Sequence, residues 1–192
     1  MHHIYHTEGI ILGSYNYGEA GKYYSIFTRD LGLVNASAQG VRKISSKLRF
    51  ILQDFSYVKV DLIRGKDFWR VTSASKTNKL ENISKDSFKI HIFANITRLL
   101  KRLLAGEYPN EALFTDLLNG LFFLENAKRE ELQNIEAIIV LRTLNNLGYI
   151  GDDALLKNIM KSPFEENLIF EAKKSRTKIL SEINNAIRET HL

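Results

Sequence analysis

Near residue 80 the recurrence of apolar side chains changes from every second residue to every third or fourth, and no single regular element can serve both spacings. Before the change, short runs rich in β-branched and aromatic residues are broken by glycine-bearing turns, the pattern of strands with one buried face. Five strands are expected, near residues 5–13, 23–29, 32–39, 55–64 and 68–75, enough for a small closed or nearly closed barrel. Asp30-Leu31-Gly32 reads as a tight hairpin turn, and residues 16–21 as a wider loop between the first two strands. After the change, Ile90, Phe93, Ile96, Leu99, Leu100 and Leu103 define an amphipathic helix that stops at Gly106. Further helices are expected over 110–125 behind Pro109, over 130–147 with Gly148 as its cap, and over 168–187. The fold class is therefore α+β in two domains. A five-stranded barrel occupies residues 1–80, and an all-helical domain, its short connections favouring an antiparallel bundle, occupies 81–192.

Charge divides along the same boundary. The formal net charge is +5, yet residues 1–80 hold 12 Lys+Arg against 6 Asp+Glu, while residues 81–192 hold 15 against 16. The positive excess belongs wholly to the barrel, and a clustered positive field raises the local concentration and association rate of a polyanion such as nucleic acid. The plainer alternative is a set of solvated cations that serve only solubility. With no Cys at all, disulfides and thiolate metal sites are excluded and a reducing compartment suffices. The N-terminus has no basic region followed by an apolar run, and no window approaches the ~20 apolar residues of a membrane span, so cytoplasmic localisation without a membrane partner is expected.

Three segments, Thr7-Glu8-Gly9-Ile10-Ile11-Leu12-Gly13-Ser14, Tyr17-Gly18-Glu19-Ala20 and Phe27-Thr28-Arg29-Asp30-Leu31-Gly32, resemble the opening of the bacterial RecO recombination mediators. Ala38-Gln39-Gly40-Val41-Arg42-Lys43, Ser46-Lys47-Leu48-Arg49, Leu52-Gln53-Asp54-Phe55-Ser56 and Leu62-Ile63-Arg64-Gly65 continue it in order, and Leu147-Gly148-Tyr149-Ile150 extends it into the helical region. The similarity is ordered over residues 5–76 and weaker beyond. It implies an N-terminal OB-fold, binding and annealing of single- and double-stranded DNA, and cooperation with RecR and the C-terminal tail of single-strand-binding protein in loading the RecA recombinase. Many RecO relatives carry a four-Cys zinc module after the Leu-Gly-Tyr junction. This chain has no Cys and only residues 150–163 at that place, so a short form without zinc is expected.

The densest cationic run is Arg42, Lys43, Lys47 and Arg49, inside a stretch, residues 31–53, without a single acid. A mobile basic connection between barrel strands can follow a phosphate backbone, releasing counterions at each contact. An ordinary solvated loop is the alternative. OB-folds also bind strands on an exposed sheet face with aromatic platforms beside basic grooves, which adds Lys22, Arg64, Lys66 and Arg70 as cations. Of the rings at Tyr15, Tyr17, Tyr23, Tyr24, Tyr57 and Trp69, alternation sends many inward, and Tyr15 and Tyr17 are the two expected outside.

Chemistry is harder to find. Gly18-Glu19-Ala20-Gly21-Lys22 has Asn16 where a phosphate-binding loop needs its first Gly and Tyr23 where it needs Ser or Thr, and no helix follows. The histidines His2, His3, His6, His91 and His191 have no metal-ligand spacing, and Asp152-Asp153 read as acids at a helix start. Arg98, Lys101 and Arg102 read as the solvated side of the first helix. The expectation is a non-enzymatic recombination mediator with no cofactor, no metal and no small-molecule substrate. Its rivals are an OB-fold RNA-binding or translation accessory protein and a purely protein-binding adaptor.

Overall fold

Strand β1 (Ile4–Tyr17) is long enough to serve two neighbours. Its residues 4–10 pair antiparallel with β4 (Tyr57–Arg64), and its residues 9–17 pair with β2 (Gly21–Thr28). An irregularity between Ile11 and Gly13 lets the strand coil from one partner to the other. Strand β2 pairs with β3 (Gly32–Ala38) and β4 with β5 (Trp69–Lys76). A two-rung parallel pairing, Ala36 with Trp69 and Ser37 with Arg70, closes the barrel in the order β1-β2-β3-β5-β4. This computed structural model describes residues 3–151 and 153–190, and its five-stranded barrel is the OB-fold that the resemblance implies.

Alternation fills the barrel. Ile11, Tyr24, Ile26, Val34, Ala36, Val58, Val60, Leu62, Trp69 and Val71 point into one core. The connection between β3 and β4 adds to it: Val41 and Leu52 are buried among these residues, and Leu48 and Ile51, on the single-turn helix α1 (Leu48–Ile51), pack against them half-buried. The expected mobile loop is therefore an ordered plug. Ile11 N–H donates to Ser56 O and Phe55 N–H to Ile11 O, tying the plug's far end to β1.

The turn after β2 is shaped by a close approach. Gly32 has φ +73°, and a Cβ there would lie 2.5 Å from Tyr108 O. Only glycine accepts both the conformation and the approach. Leu33 N–H donates to Gly106 O at 2.9 Å, so residues 106–108 lie on the hairpin as part of the same compact unit, Met1–Lys85 with Thr97–Glu111.

The second unit comprises Asp86–Ile96 and Ala112–Leu192. Helix α2 (Ser87–Leu103) contributes its first part to it, followed by α3 (Glu111–Asn126), α4 (Leu132–Asn146), α5 (Lys157–Lys161), α6 (Glu166–Lys174) and α7 (Arg176–Glu189). Helix α4 is the centre: Ile135, Ile138, Ile139, Leu141 and Leu144 are all buried, and it packs against α5, α6 and α7. It ends as expected at Gly148, whose φ of +81° permits bonds from Gly148 N–H to Asn145 O and from Tyr149 N–H to Leu144 O.

The last expected helix is broken at Ser175 into α6 and α7, and the short helix expected to start at Asp152-Asp153 begins only at Lys157, as α5. Neither Gly nor Pro marks the break, which leaves Arg176 donating to Asn134 and Gln133 of α4. Helix α5 is too short to show a period, and it is held by Arg142, almost wholly buried, whose guanidinium donates to Ile159 O, Ser162 O and Asp116 and lies 4.4 Å from the Phe164 ring centre. Asp153 accepts from Leu155 N–H at 2.9 Å and so caps a turn ahead of α5, while Asp152 lies outside the described residues. No described helix is long and apolar enough to cross a membrane.

If the plug is part of the core, Leu52→Ala lowers the unfolding free energy by about 2 to 5 kcal/mol. Ile44→Ala in the same connection, at 88% exposure, changes it by less than ~0.5 kcal/mol. Chemical denaturation of the two variants measures both, and equal effects would show the connection to be a free loop.

Candidate nucleic-acid interface

Pinning the apolar residues of the plug inward turns its cations outward. A groove of about 610 Å³ opens at this end of the barrel, floored by Tyr24, Val41 and Leu52 and rimmed by Lys22, Arg42, Arg49, Lys76, Phe50 and Gln53. None of these lining residues is a carboxylate. Arg42 is fixed twice to the β1–β2 turn, its backbone N–H donating to Ala20 O at 3.0 Å and its guanidinium to Gly18 O at 3.4 Å. Lys22 Nζ donates to Ser14 Oγ at 3.3 Å, the Arg49 guanidinium stands 5.8 Å from the Phe50 ring centre, and Lys76 pairs with Glu81 at 3.3 Å. Lys22, Arg42 and Arg49 facing one hollow repel each other, Lys76 being offset in part by Glu81, and the covalent and packing constraints of the barrel hold them there regardless.

Of the cations singled out in the sequence, Lys22, Arg42 and Arg49 meet in this groove. Lys43 and Lys47 are exposed on the same connection but do not line it. Lys66 is exposed in the turn between β4 and β5, and Arg70 is exposed on β5. Arg64 is differently placed: it pairs with Glu107 at 2.7 Å and lies 5.3 Å from the Trp69 ring centre, while Trp69 Nε1–H donates to the same carboxylate at 2.9 Å. Its charge is balanced locally.

Tyr15 and Tyr17 are exposed, but on β1 rather than in a wide loop, because β1 runs on to Tyr17 and leaves a tight turn at residues 18–20. They stand on the outer wall. Tyr15 lies 5.3 Å and Tyr17 4.5 Å from the Tyr23 ring, and Phe68 lies 5.2 Å from it on the other side. Desolvation and then the neighbouring Tyr17 phenol hold the Tyr23 phenol above its usual value. Strand alternation explains the division: Lys22 turns into the groove and the next residue, Tyr23, onto the wall. Tyr24, Tyr57 and Trp69 belong to the core.

The sequence reading missed Lys76, Phe50 and Phe68. Lys76 is remote from the basic run in the chain and reaches the groove only through the β4–β5 register, in which it stands opposite Val58. Phe68 sits at the end of a hairpin, where no alternation marks its face.

Residues 18–22 form the β1–β2 turn and run into β2, without the helix N-terminus that a phosphate-binding loop requires. His91 is exposed on α2, and His6 Nδ1 lies 2.6 Å from Asp61 Oδ1 on the barrel surface. His2 and His191 lie outside the described residues, among which no three His, Cys, Asp or Glu side chains converge as a metal set.

Residues 1–79 match the family profile described as Recombination protein O N terminal, and residues 84–152 match that described as Recombination protein O C terminal. The chain is 31% identical over 150 residues to the DNA repair protein RecO of Thermodesulfovibrio yellowstonii, covering 77% of this chain and 59% of the relative. It is 29% identical over 143 residues to that of Acetivibrio thermocellus, covering 74% and 57%, and 31% identical over 146 residues to that of Rubrobacter xylanophilus, covering 76% and 58%. The matched stretch thus spans less than two thirds of these curated relatives.

The groove floor gives a pH signature. Burial, and secondarily the Asp54 charge, push the Tyr24 phenol up from 10 to about 12. The unfolded chain ionises this phenol first, so the stability it secures is complete below pH 10 and is lost as pH climbs from 10 towards 12. Tyr24→Phe is expected to flatten that alkaline loss, read as urea midpoints on either side of the interval. An unchanged slope would mean that the phenol is not buried.

Proposed function

The chain belongs to the RecO family, and from that premise we propose that it is a non-enzymatic DNA-repair mediator that binds DNA through its barrel. The observation that carries this reading is the groove in which Lys22, Arg42, Arg49 and Lys76 converge with no carboxylate in the lining. Phosphates are the natural occupants of such a hollow, because each one bound by a cation frees condensed counterions. The phosphate backbone is common to single and double strands, so the groove serves both, and a protein that binds two complementary strands promotes their annealing.

In the same reading the barrel is the nucleic-acid-binding domain and the helical domain docks partners. RecR and the acidic tail of single-strand-binding protein are the partners expected, and loading of RecA onto covered single strands in the cytoplasm is the outcome. In support, the helical unit has a hollow of about 600 Å³ walled by Phe122, Phe123 and Phe164 with Lys161 beside them and with its lining acid, Asp116, paired to Arg142, a mixture of apolar wall and cation that suits an acidic tail. The peripheral members of the DNA set are Lys43, Lys47, Lys66 and Arg70, with Tyr15 and Tyr17 on the wall. Arg64, neutralised by Glu107, contributes least.

Fluorescence anisotropy of a labelled single strand across a salt series tests the groove. Replacing Lys22, Arg42, Arg49 and Lys76 by Ala should weaken binding and flatten the dependence of log K on log salt by up to ~0.7 for each phosphate that is no longer neutralised. Arg64→Ala should leave the slope unchanged. Retention of the wild-type affinity and slope by the fourfold variant would overturn the assignment.

A further inference from the structure

One hollow of the barrel unit is acidic rather than basic. It measures about 560 Å³ beside the start of β5, its charged lining is Arg64, Asp67 and Glu107, and Phe68, Trp69 and Tyr108 are its aromatic walls. Two carboxylates against one guanidinium leave it one cation short of neutrality, and Lys66, exposed in the same turn, does not line it. Glu107 accepts from both Arg64 and the Trp69 indole, whereas Asp67 has no hydrogen-bond or ion-pair partner among the described residues. Such a lining repels phosphate, and it shares no residue with the cationic groove.

The walls are held in place yet left uncovered. Tyr108 is pinned through its backbone, which packs on Gly32 too closely for any Cβ there and donates from its N–H to Gly106 O at 2.9 Å. Its ring is 76% exposed and makes no hydrogen bond or ring contact among the described residues. Phe68, also exposed, sits where Gly65 N–H donates to Phe68 O at 3.0 Å and closes the β4–β5 hairpin. Rings fixed in this way lose little freedom when a partner covers them, which is the condition for a strong contact point in an interface.

The chain itself shows which group suits the hollow. The Arg64 guanidinium lies 2.7 Å from Glu107 Oε2 and 5.3 Å from the Trp69 ring centre, so carboxylate and ring together hold one guanidinium. The same lining offers those components again in the Asp67 carboxylate and the Tyr108 and Phe68 rings, and it contains no second cation among the described residues. A guanidinium stacks on aromatic faces while it pairs with a carboxylate, and an ammonium does so less well. We infer that this hollow is a docking site for an arginine side chain on a basic segment of a partner protein, which gives the barrel a protein-binding face apart from its cationic groove. That face stands whether or not the groove binds nucleic acid.

Trp69 is the one tryptophan of the chain, so its indole N–H gives a single signal in a nitrogen–proton NMR spectrum and reports on Glu107, 2.9 Å away. Titrating the full chain with the peptide Gly-Arg-Gly-Arg-Gly should move that signal saturably. The same peptide with citrulline in place of arginine keeps the shape, loses the charge and should leave the signal where it is. An Asp67→Asn/Tyr108→Ala variant, shown to be folded by its remaining resonances, should bind the arginine peptide at least about threefold more weakly. An unmoved indole signal, an equal response to the citrulline peptide or to spermidine, or full affinity in the variant would overturn the site. Movement caused by a homothymidine strand and not by the arginine peptide would overturn it in favour of nucleic acid.

Discussion

Burial of Val41 and Leu52 in the barrel core is the interaction on which the binding end of the barrel depends. A segment such as residues 39–53, with four cations and no acid, repels itself and in isolation would extend into solvent. Two apolar residues at its ends, with Leu48 and Ile51 half-buried between them, fasten it across the barrel instead. Hydrophobic transfer on the order of 1.5 to 3 kcal/mol for each fully buried side chain exceeds the repulsion among solvated cations. Arg42 and Arg49 therefore flank a fixed hollow together with Lys22 and Lys76, which come from elsewhere in the chain.

The second organising constraint is the two-residue period of a strand. Because Lys22 and Tyr23 are neighbours in β2, cation and ring are forced onto opposite faces, and the barrel acquires a cationic mouth and an aromatic wall that share an edge. The positions of Tyr15 and Tyr17 follow from the length of β1, which continues past its irregularity at Gly13 far enough to pair Tyr15 with Tyr23. Arg64 illustrates the opposite outcome. The segment lying on the β2–β3 hairpin carries Glu107 to within 2.7 Å of its guanidinium, and its positive charge is used inside the molecule.

Much of this was legible in the sequence, for stated physical reasons. Period-two runs marked five strands, and three- and four-residue spacing marked the helices behind them, because burial of one face imposes its spacing on the side chains. The basic run at Arg42 to Arg49 was visible because its members are close in sequence. What stayed hidden came from register and long-range packing. Lys76 joins the groove through pairing of β4 with β5, Phe68 joins the wall from a hairpin end, and Arg64 is neutralised by a residue forty-three positions away. The break at Ser175 carries no Gly or Pro, and α5 exists where buried Arg142 collects the carbonyls of Ile159 and Ser162.

The central claim is that nucleic acid lies on the barrel, across the plugged mouth and the adjoining wall. Hydrogen–deuterium exchange of the full chain with and without a saturating homothymidine strand tests it most directly. Slowed exchange should concentrate in residues 14–24 and 39–53, with little change over residues 112–190. Protection confined to the helical residues, leaving 39–53 as fast as in the free protein, would contradict it.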